Sequence, residues 1–344
     1  MPSTPTAAER YCRAALPRVS RTFAVNIRLL EGRLGNAVRI GYLLCRMADT
    51  LEDGWPDSQP PEVRFGLLLD ALDGVPDAPR RLSALATLAL GDAAAGPELE
   101  LVQRAPWVFA RLQALPGDDR DIVCRCVTTL ASGMHRFAER AAERNGRAYL
   151  ETEQELHDYC YTVAGCVGEM LTRLYLALSP GARGAETLAR LAPRFGEGLQ
   201  LTNVLLDLPD DLRRGRCYVP QAWLADERMN PAALLDATRG DSASRVIARL
   251  ERLALAGLDA AWSYTLALPA RHWRYRLFCA WPALWAAASL AEARRSPDFV
   301  SSGVRPRIAR GRVRGLATAA ALRVGSSRAL EELYRRVRPA DAAP

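Results

Sequence analysis

Along almost the whole chain apolar residues return every three or four positions, the period of an amphipathic helix. Runs that alternate apolar and polar between turn residues are missing. Ala, Leu, Arg and Glu dominate, and all four are good helix formers. The pattern predicts an all-α protein. Gly and Pro punctuate it. GWPDSQPP (residues 54–61) reads as a loop, and GPELE from Gly96, PGDD from Pro116 and RNGR from Arg144 mark further breaks. Thr152 followed by Glu155 fits a capping box that opens a long helix through residue 178, closed by Ser-Pro-Gly. Helices are expected over residues 186–208, 242–266, 273–293, 309–324 and 327–337, with a loop from 208 through Pro220. There is no repeat at a solenoid period and no low-complexity linker. One helical domain over 1–344 around a central apolar cavity is expected, its core at about 11–296 and basic helices at about 306–338.

The composition is that of a globular protein, 49% apolar and 25% charged over 344 residues, which excludes a disordered or fibrous chain. All 46 basic residues are Arg, against 39 acidic ones, giving a formal net charge of +7. That favours anionic partners such as diphosphates or acidic headgroups. The charge reads as spread along the chain except for Arg305, Arg307, Arg310, Arg312 and Arg314. This group is either a solvated face or a membrane-surface patch. A nucleic-acid surface would need a dense basic face with interleaved aromatics, so no nucleic-acid partner is expected. The first 21 residues hold no apolar signal-peptide core, and the longest apolar run, 277–291, is short for a membrane span and contains Pro282. A cytoplasmic protein, at most peripheral to the inner face of the membrane, is expected. Cys12, Cys45, Cys124, Cys126, Cys160, Cys166, Cys217 and Cys279 fit no zinc spacing and read as reduced thiols. The three scattered His make a His-based metal site an unattractive reading.

Two acidic clusters carry the chemistry. In Asp49-Thr50-Leu51-Glu52-Asp53, the carboxylates at i, i+3 and i+4 share a helix face, and Gly54-Trp55-Pro56 ends the helix just beyond them. The helix C-terminus already disfavours negative charge. Two carboxylates ~5.5 Å apart repel by about 3 kcal/mol at an effective dielectric near 20. A cation would offset that cost, and hard oxygen ligands suit Mg²⁺ bridging to substrate phosphates. The alternative is a solvated helix end with Arg46 as local partner. In the second cluster, Asn203 and Asp207 share a face that Asp211 continues, with Asp210 beside it. Arg213, Arg214 and Arg216 follow, able to clamp phosphate oxygens. Alternatively Asp207 caps a short helix that starts at Pro209, since Pro209 opposes a continuous helix. Two acidic helix ends with arginines nearby describe a site for diphosphates held through Mg²⁺.

With these motifs the sequence resembles the squalene/phytoene synthase family. VSRTFAVNI (19–27) resembles the family's Ser-Arg-x-Phe segment, and YLLCRMADTLED (42–53) its first aspartate-rich motif. YCYTVAGCVGEML (159–171) resembles its central Tyr helix. QLTNVLLDLPDDLRRGRCYVP (200–220) resembles the second aspartate-rich motif, and PARHWRYRLFCAWPALWA (269–286) the C-terminal part of bacterial members. The resemblance implies the all-α isoprenoid synthase fold and head-to-head joining of two prenyl diphosphates. It implies Asp49, Glu52 and Asp53 as Mg²⁺ ligands on one diphosphate. On the other it implies Asn203, Asp207 and Asp211, with Asp210 assisting. Ser20, Arg21, Arg46 and Arg216 would contact diphosphate oxygens, Tyr42 and Tyr159 would line the reaction centre, and Tyr159 would handle protons and stabilise carbocations. Gln200, Phe23, Val163, Ala164 and Gly165 would shape the cavity.

Structural alternatives stand beside these roles: core aromatics for Tyr42 and Tyr159, an ion-pair partner for Arg46, an N-cap for Ser20, close helix packing for Val163–Gly165. Leu206 stands where the family usually has Arg, and Pro209 interrupts the second motif. A soluble or peripheral enzyme without the C-terminal anchor of eukaryotic squalene synthases is expected, and so is a monomer. The implied reaction condenses two farnesyl diphosphates through a cyclopropylcarbinyl (presqualene) diphosphate to squalene with NADPH. Phytoene or dehydrosqualene synthesis without reduction, arrest at presqualene diphosphate, and a non-catalytic assembly role are the alternatives. No Rossmann-type Gly fingerprint is present, which is neutral because this fold would bind NADPH in another way.

Overall fold

The computed structural model describes residues 6–53, 60–74, 77–90, 96–144, 148–179, 181 and 184–340. They form two compact units, residues 1–139 with 170–180 and residues 140–169 with 181–344.

The first unit is built from α1 (Ala7–Val19), α2 (Arg21–Ile27), α3 (Gly32–Asp53), α4 (Pro61–Leu72), α5 (Ala78–Leu90), α6 (Pro97–Gln103), α7 (Ala105–Gln113) and α8 (Gly117–Glu143), which continues into the second unit. Side-chain caps set the starts: Thr6 Oγ1 accepts from Glu9 N (3.2 Å) and Ser20 Oγ from Phe23 N (3.2 Å). Pro61 and Pro97 open α4 and α6, where the missing N–H has no partner to lose. The breaks expected at GPELE and PGDD are therefore helix starts, with Gly96 capping α6 and Gly117 opening α8. Residues 54–59 of the expected GWPDSQPP loop and 145–147 of RNGR lie outside the described residues. Leu43, Leu44, Met47 and Leu51 on one side of α3 are fully buried with Phe65 and Leu68 of α4. Arg33 at the start of α3 grips the buried Asp119 of α8 through two bonds of 2.6 and 2.9 Å.

The second unit holds α9 (Glu153–Cys160), a π turn (Tyr161–Gly165), α10 (Cys166–Ala177), whose later residues belong to the first unit, and α11 (Ala185–Arg213). These are followed by α12 (Gln221–Asp226), α13 (Gly240–Ala267), α14 (Trp273–Arg295), α15 (Phe299–Ser302), α16 (Arg310–Ala321) and α17 (Ser327–Val337). Thr152 caps α9 as expected (3.2 Å to Glu155 N), while Glu155 reaches back to Glu151 N (2.7 Å). The single helix expected over 152–178 is divided by the π turn. Its Ala164 carbonyl presses on α11, where a Cβ at Gly196 would lie 2.1 Å from that oxygen. The helix expected to stop at 208 runs on to Arg213 through Pro193 and Pro209. Burial of Leu205, Leu206, Leu208 and Pro209 on its packed side outweighs the bond that proline removes, so Asp207 does not cap a separate helix. In the expected loop beyond, β2 (Arg216–Cys217) pairs in parallel with β1 (Ala148–Tyr149), two residues each. The all-α expectation otherwise holds.

Gly198 and Gly257 bring α11 and α13 to backbone contact. Arg276 of α14 is fully buried. It donates to the Thr265 carbonyl (3.2 Å), the Val324 carbonyl (2.8 Å) and Ser327 Oγ, fixing the link between α16 and α17. All eight cysteines are free thiols, seven of them buried, and burial pushes Cys12 and Cys217 up to about 11. No described helix is long and apolar enough to cross a membrane.

Candidate active site

In the first unit the candidate residues gather at the C-terminal end of α3. Tyr42, Arg46 and Asp49 follow one another at steps of four and three, so they line one face. Arg46 Nη1 lies 3.6 Å from Asp49 Oδ2, and Nη2 donates to Glu98 Oε1 at 3.2 Å. Its Nε is buried with no hydrogen-bond partner, a donor left for a further acceptor. Glu98, in the first turn of α6, has no role in the sequence reading. Its signal is GPELE itself, which puts two acids just after a Pro-opened helix start. Ser20 caps α2, accepting from Phe23 N, and its hydroxyl also acts on the Tyr42 phenol. Burial holds the Tyr42 phenol above its ordinary value, against the pull of Ser20 and Arg46. The Phe23 ring, 40% exposed, lies 5.7 Å from that of Tyr42. Asp49 and Glu52 are partly exposed at the helix end. The side chains of Arg21 and Asp53 lie outside the described residues.

In the second unit the continuous α11 sets Gln200, Asn203, Asp207 and Asp210–Asp211 along one face at steps of three, four and three to four. Leu206 is buried on the packed side, about 100° around the helix from Asp207. Asp207 Oδ1 accepts from Arg305 Nη1 at 2.7 Å. Burial raises the Asp207 carboxyl above the usual range and Asp210 adds to this, while Arg305, Arg214 and Arg307 pull it down. Arg213 Nη1 donates to Asp210 Oδ1 (2.8 Å) and its Nη2 to the Gly303 carbonyl (3.0 Å). The segment after α15 is thus tied twice to the second acidic motif. Arg305, which the sequence reading grouped with a surface patch, is instead a partner of that motif.

Arg216 is half-buried in β2. Tyr159 is buried in α9 and stacked on Tyr218, ring centroids 4.5 Å apart. Tyr218 lies inside the motif stretch, but nothing in its spacing distinguishes it from a core aromatic. In the π turn Val163 and Ala164 are half-exposed. Gly165 is buried, and a Cβ there would lie 2.8 Å from the Tyr161 ring and 3.4 Å from the Pro193 carbonyl, so this residue serves close packing.

The donor set at both helix ends is all oxygen, the chemistry Mg²⁺ prefers. Among the described residues no three acidic, His or Cys groups converge into a ready cage. That suits an ion that keeps several waters and takes one or two carboxylates plus substrate phosphates. The residues fit Mg²⁺, and Arg46 and Arg305 pair with two of the same carboxylates, Asp49 and Asp207.

A family model for squalene/phytoene synthase matches residues 16–312, and the chain belongs to that family. A squalene synthase of Ganoderma lucidum is 30% identical over 222 residues, 63% of this chain and 44% of that protein. A 15-cis-phytoene synthase of Enterobacter agglomerans is 28% identical over 231 residues, 67% of this chain and 68% of that protein. The chain spans about half the length of the curated squalene synthases it matches, 44% and 61% of the first two. A solved complex of TcSQS with the ligand BPH1237 superposes with a TM-score of 0.79 at 25% identity, over 98% of this chain and 94% of that one. The fold is the isoprenoid synthase fold of squalene synthases.

Proposed function

We propose that the protein is a head-to-head prenyltransferase that joins two farnesyl diphosphates through presqualene diphosphate to squalene. The observation that carries this reading is the pair of acidic helix stretches, 49/52 on α3 and 203/207/211 on α11, each with arginine at hydrogen-bonding or ion-pair range. Mg²⁺ held by Asp49, Glu52 and Asp53 and by Asn203, Asp207 and Asp211 would neutralise diphosphate charge and make diphosphate a better leaving group.

The chain's own residues do the rest. Arg46, with its unpaired Nε, offers donors to a diphosphate at the first motif, where Ser20 would add to them, and Arg216 and Gln200 would do the same at the second motif. Asp207 would hold a cation, and the Arg305 guanidinium a diphosphate oxygen, once released from their mutual pair. Tyr42 stays protonated near neutral pH and donates a hydrogen bond. The stacked Tyr159–Tyr218 pair supplies electron-rich ring faces that attract a carbocation without offering it a carboxylate oxygen. Beside the stacked tyrosines, the half-exposed Val163 and Ala164 would supply apolar contact that excludes water, which would otherwise trap the cation. Hydride delivery by NADPH rests on the resemblance alone, and no step is derived through it.

Product analysis of the purified protein with farnesyl diphosphate and Mg²⁺, with and without NADPH, tests the reading. Squalene formed only with NADPH is the expected result. Dehydrosqualene regardless of NADPH, or phytoene from geranylgeranyl diphosphate with farnesyl diphosphate left unreacted, would replace it by a non-reducing synthase.

A further inference from the structure

Between residues 299 and 330 the chain carries seven arginines and no Asp or Glu. The remainder balances at 39 basic and 39 acidic residues, so the entire formal net charge of +7 belongs to this stretch. Three of the seven are engaged within the protein. Arg305 pairs with Asp207 (2.7 Å), Arg328 with Glu332 (3.3 Å), and Arg323 donates to the Ala319 carbonyl (3.0 Å). Arg307, Arg310, Arg312 and Arg314 are exposed, and among the described residues none of Arg310, Arg312 and Arg314 meets a carboxylate.

The helix that carries them is held from one side. Trp281 and Trp285 of α14 donate their indole N–H groups to the Ala317 and Val313 carbonyls, both at 3.1 Å, and Leu316 and Ala320 are buried. The other side of α16 presents Arg310, Arg314, Thr318 and Ala321 in line at steps of four, four and three. Leu322 stands just beyond, 80% exposed, and Val304 before the helix is 68% exposed. These are the two most exposed large apolar side chains of the described residues. Unpaired arginines beside an exposed leucine need a partner that offers anionic groups and an apolar boundary a few ångströms deeper.

We propose that this face of α16, with Leu322, docks on an anionic lipid bilayer. Headgroup phosphates would meet the arginines, and the acyl boundary would take Leu322. A nucleic-acid backbone would meet the charges but leave Leu322 in water, and no Phe, Tyr or Trp lies between residues 300 and 333 to stack on bases. The proposal does not depend on which prenyl product is made.

The test uses the full chain and co-sedimentation with vesicles of phosphatidylcholine, with or without phosphatidylglycerol, at low and high salt. Binding to phosphatidylglycerol vesicles, suppressed by salt, is expected. Arg310→Gln/Arg314→Gln weakens it by about fivefold per arginine, roughly 25-fold in total. Leu322→Trp is the second probe, read as the difference from the parent fluorescence spectrum. A blue shift on phosphatidylglycerol vesicles only is expected. Equal binding to neutral and anionic vesicles, an unshifted Leu322→Trp spectrum, or tighter binding to a DNA duplex than to the anionic vesicles would overturn the proposal.

Discussion

The arginine–carboxylate pairs are where single residues decide the chemistry. Arg305 holds Asp207 Oδ1, and a metal ion bound at Asp207 would have to compete with it. Arg305→Gln is therefore expected to raise the substrate-free affinity for Mg²⁺ by up to about fivefold, since a partly exposed pair is worth no more than ~1 kcal/mol. Isothermal titration with Mg²⁺ reads it, and an unchanged or weaker affinity would contradict the competition. Asp207→Asn should instead lower kcat by about a hundredfold or more, as loss of one charge-stabilising contact does elsewhere. His157 gives a pH-dependent signature away from the carboxylate clusters. The Glu197 carboxylate beside it (3.7 Å) holds its pKa above 6.5, with Glu153 and Asp158 adding to this and burial opposing. A raised pKa means the folded state binds the proton more tightly. That stability is fully present below the unfolded value of about 6.5 and fades as pH rises through the folded one. Thermal melts of His157→Gln against the parent should differ most below the unfolded value of about 6.5 and converge as the pH rises past the folded one. A difference that grows with pH would reverse the assignment.

At the scale of elements, the π turn and α11 form one packed unit through glycines. A Cβ at Gly198 would lie 2.4 Å from the Gly257 carbonyl carbon, which is backbone and cannot swing aside. Gly198→Ala is expected to destabilise the protein by about 3 kcal/mol. Gly315→Ala, in open space on α16, should be stabilising by about 0.5–1 kcal/mol. Denaturant titration of both separates the cases, and equal effects would contradict the close approach. These elements also show what the sequence can convey. The span of α17, 327–337, is legible because amphipathic period and cap agree there, with Ser326 capping Ala329 N at 3.2 Å. The end of α11 is not legible, because proline's local penalty points one way and burial of Leu205, Leu206 and Leu208 points the other. Only the folded partner shows which is larger. The π turn is likewise invisible, since Tyr161–Gly165 keeps an unbroken helical pattern while a tertiary contact sets its hydrogen bonding.

For the whole molecule, the family and the fold are legible because they rest on contiguous motifs whose spacing survives in sequence, whereas the continuous face at the second acidic motif depends on the helix running through Pro209. Glu98, Tyr218 and the attachment of Arg305 are not, because each joins its motif from elsewhere in the chain or lacks a distinguishing pattern. The surplus charge, which reads as broadly spread, sits in one acid-free stretch at 299–330. The central claim is that each acidic helix face holds one diphosphate. Calorimetric titration in Mg²⁺ with a farnesyl diphosphate analogue whose bridging oxygen is replaced by sulfur measures it directly, because the analogue binds without reacting. The account predicts two analogue molecules per chain for the parent, and one each for Asp49→Asn/Glu52→Gln and Asp207→Asn/Asp211→Asn. One molecule per chain in the parent, or two in either variant, would contradict it.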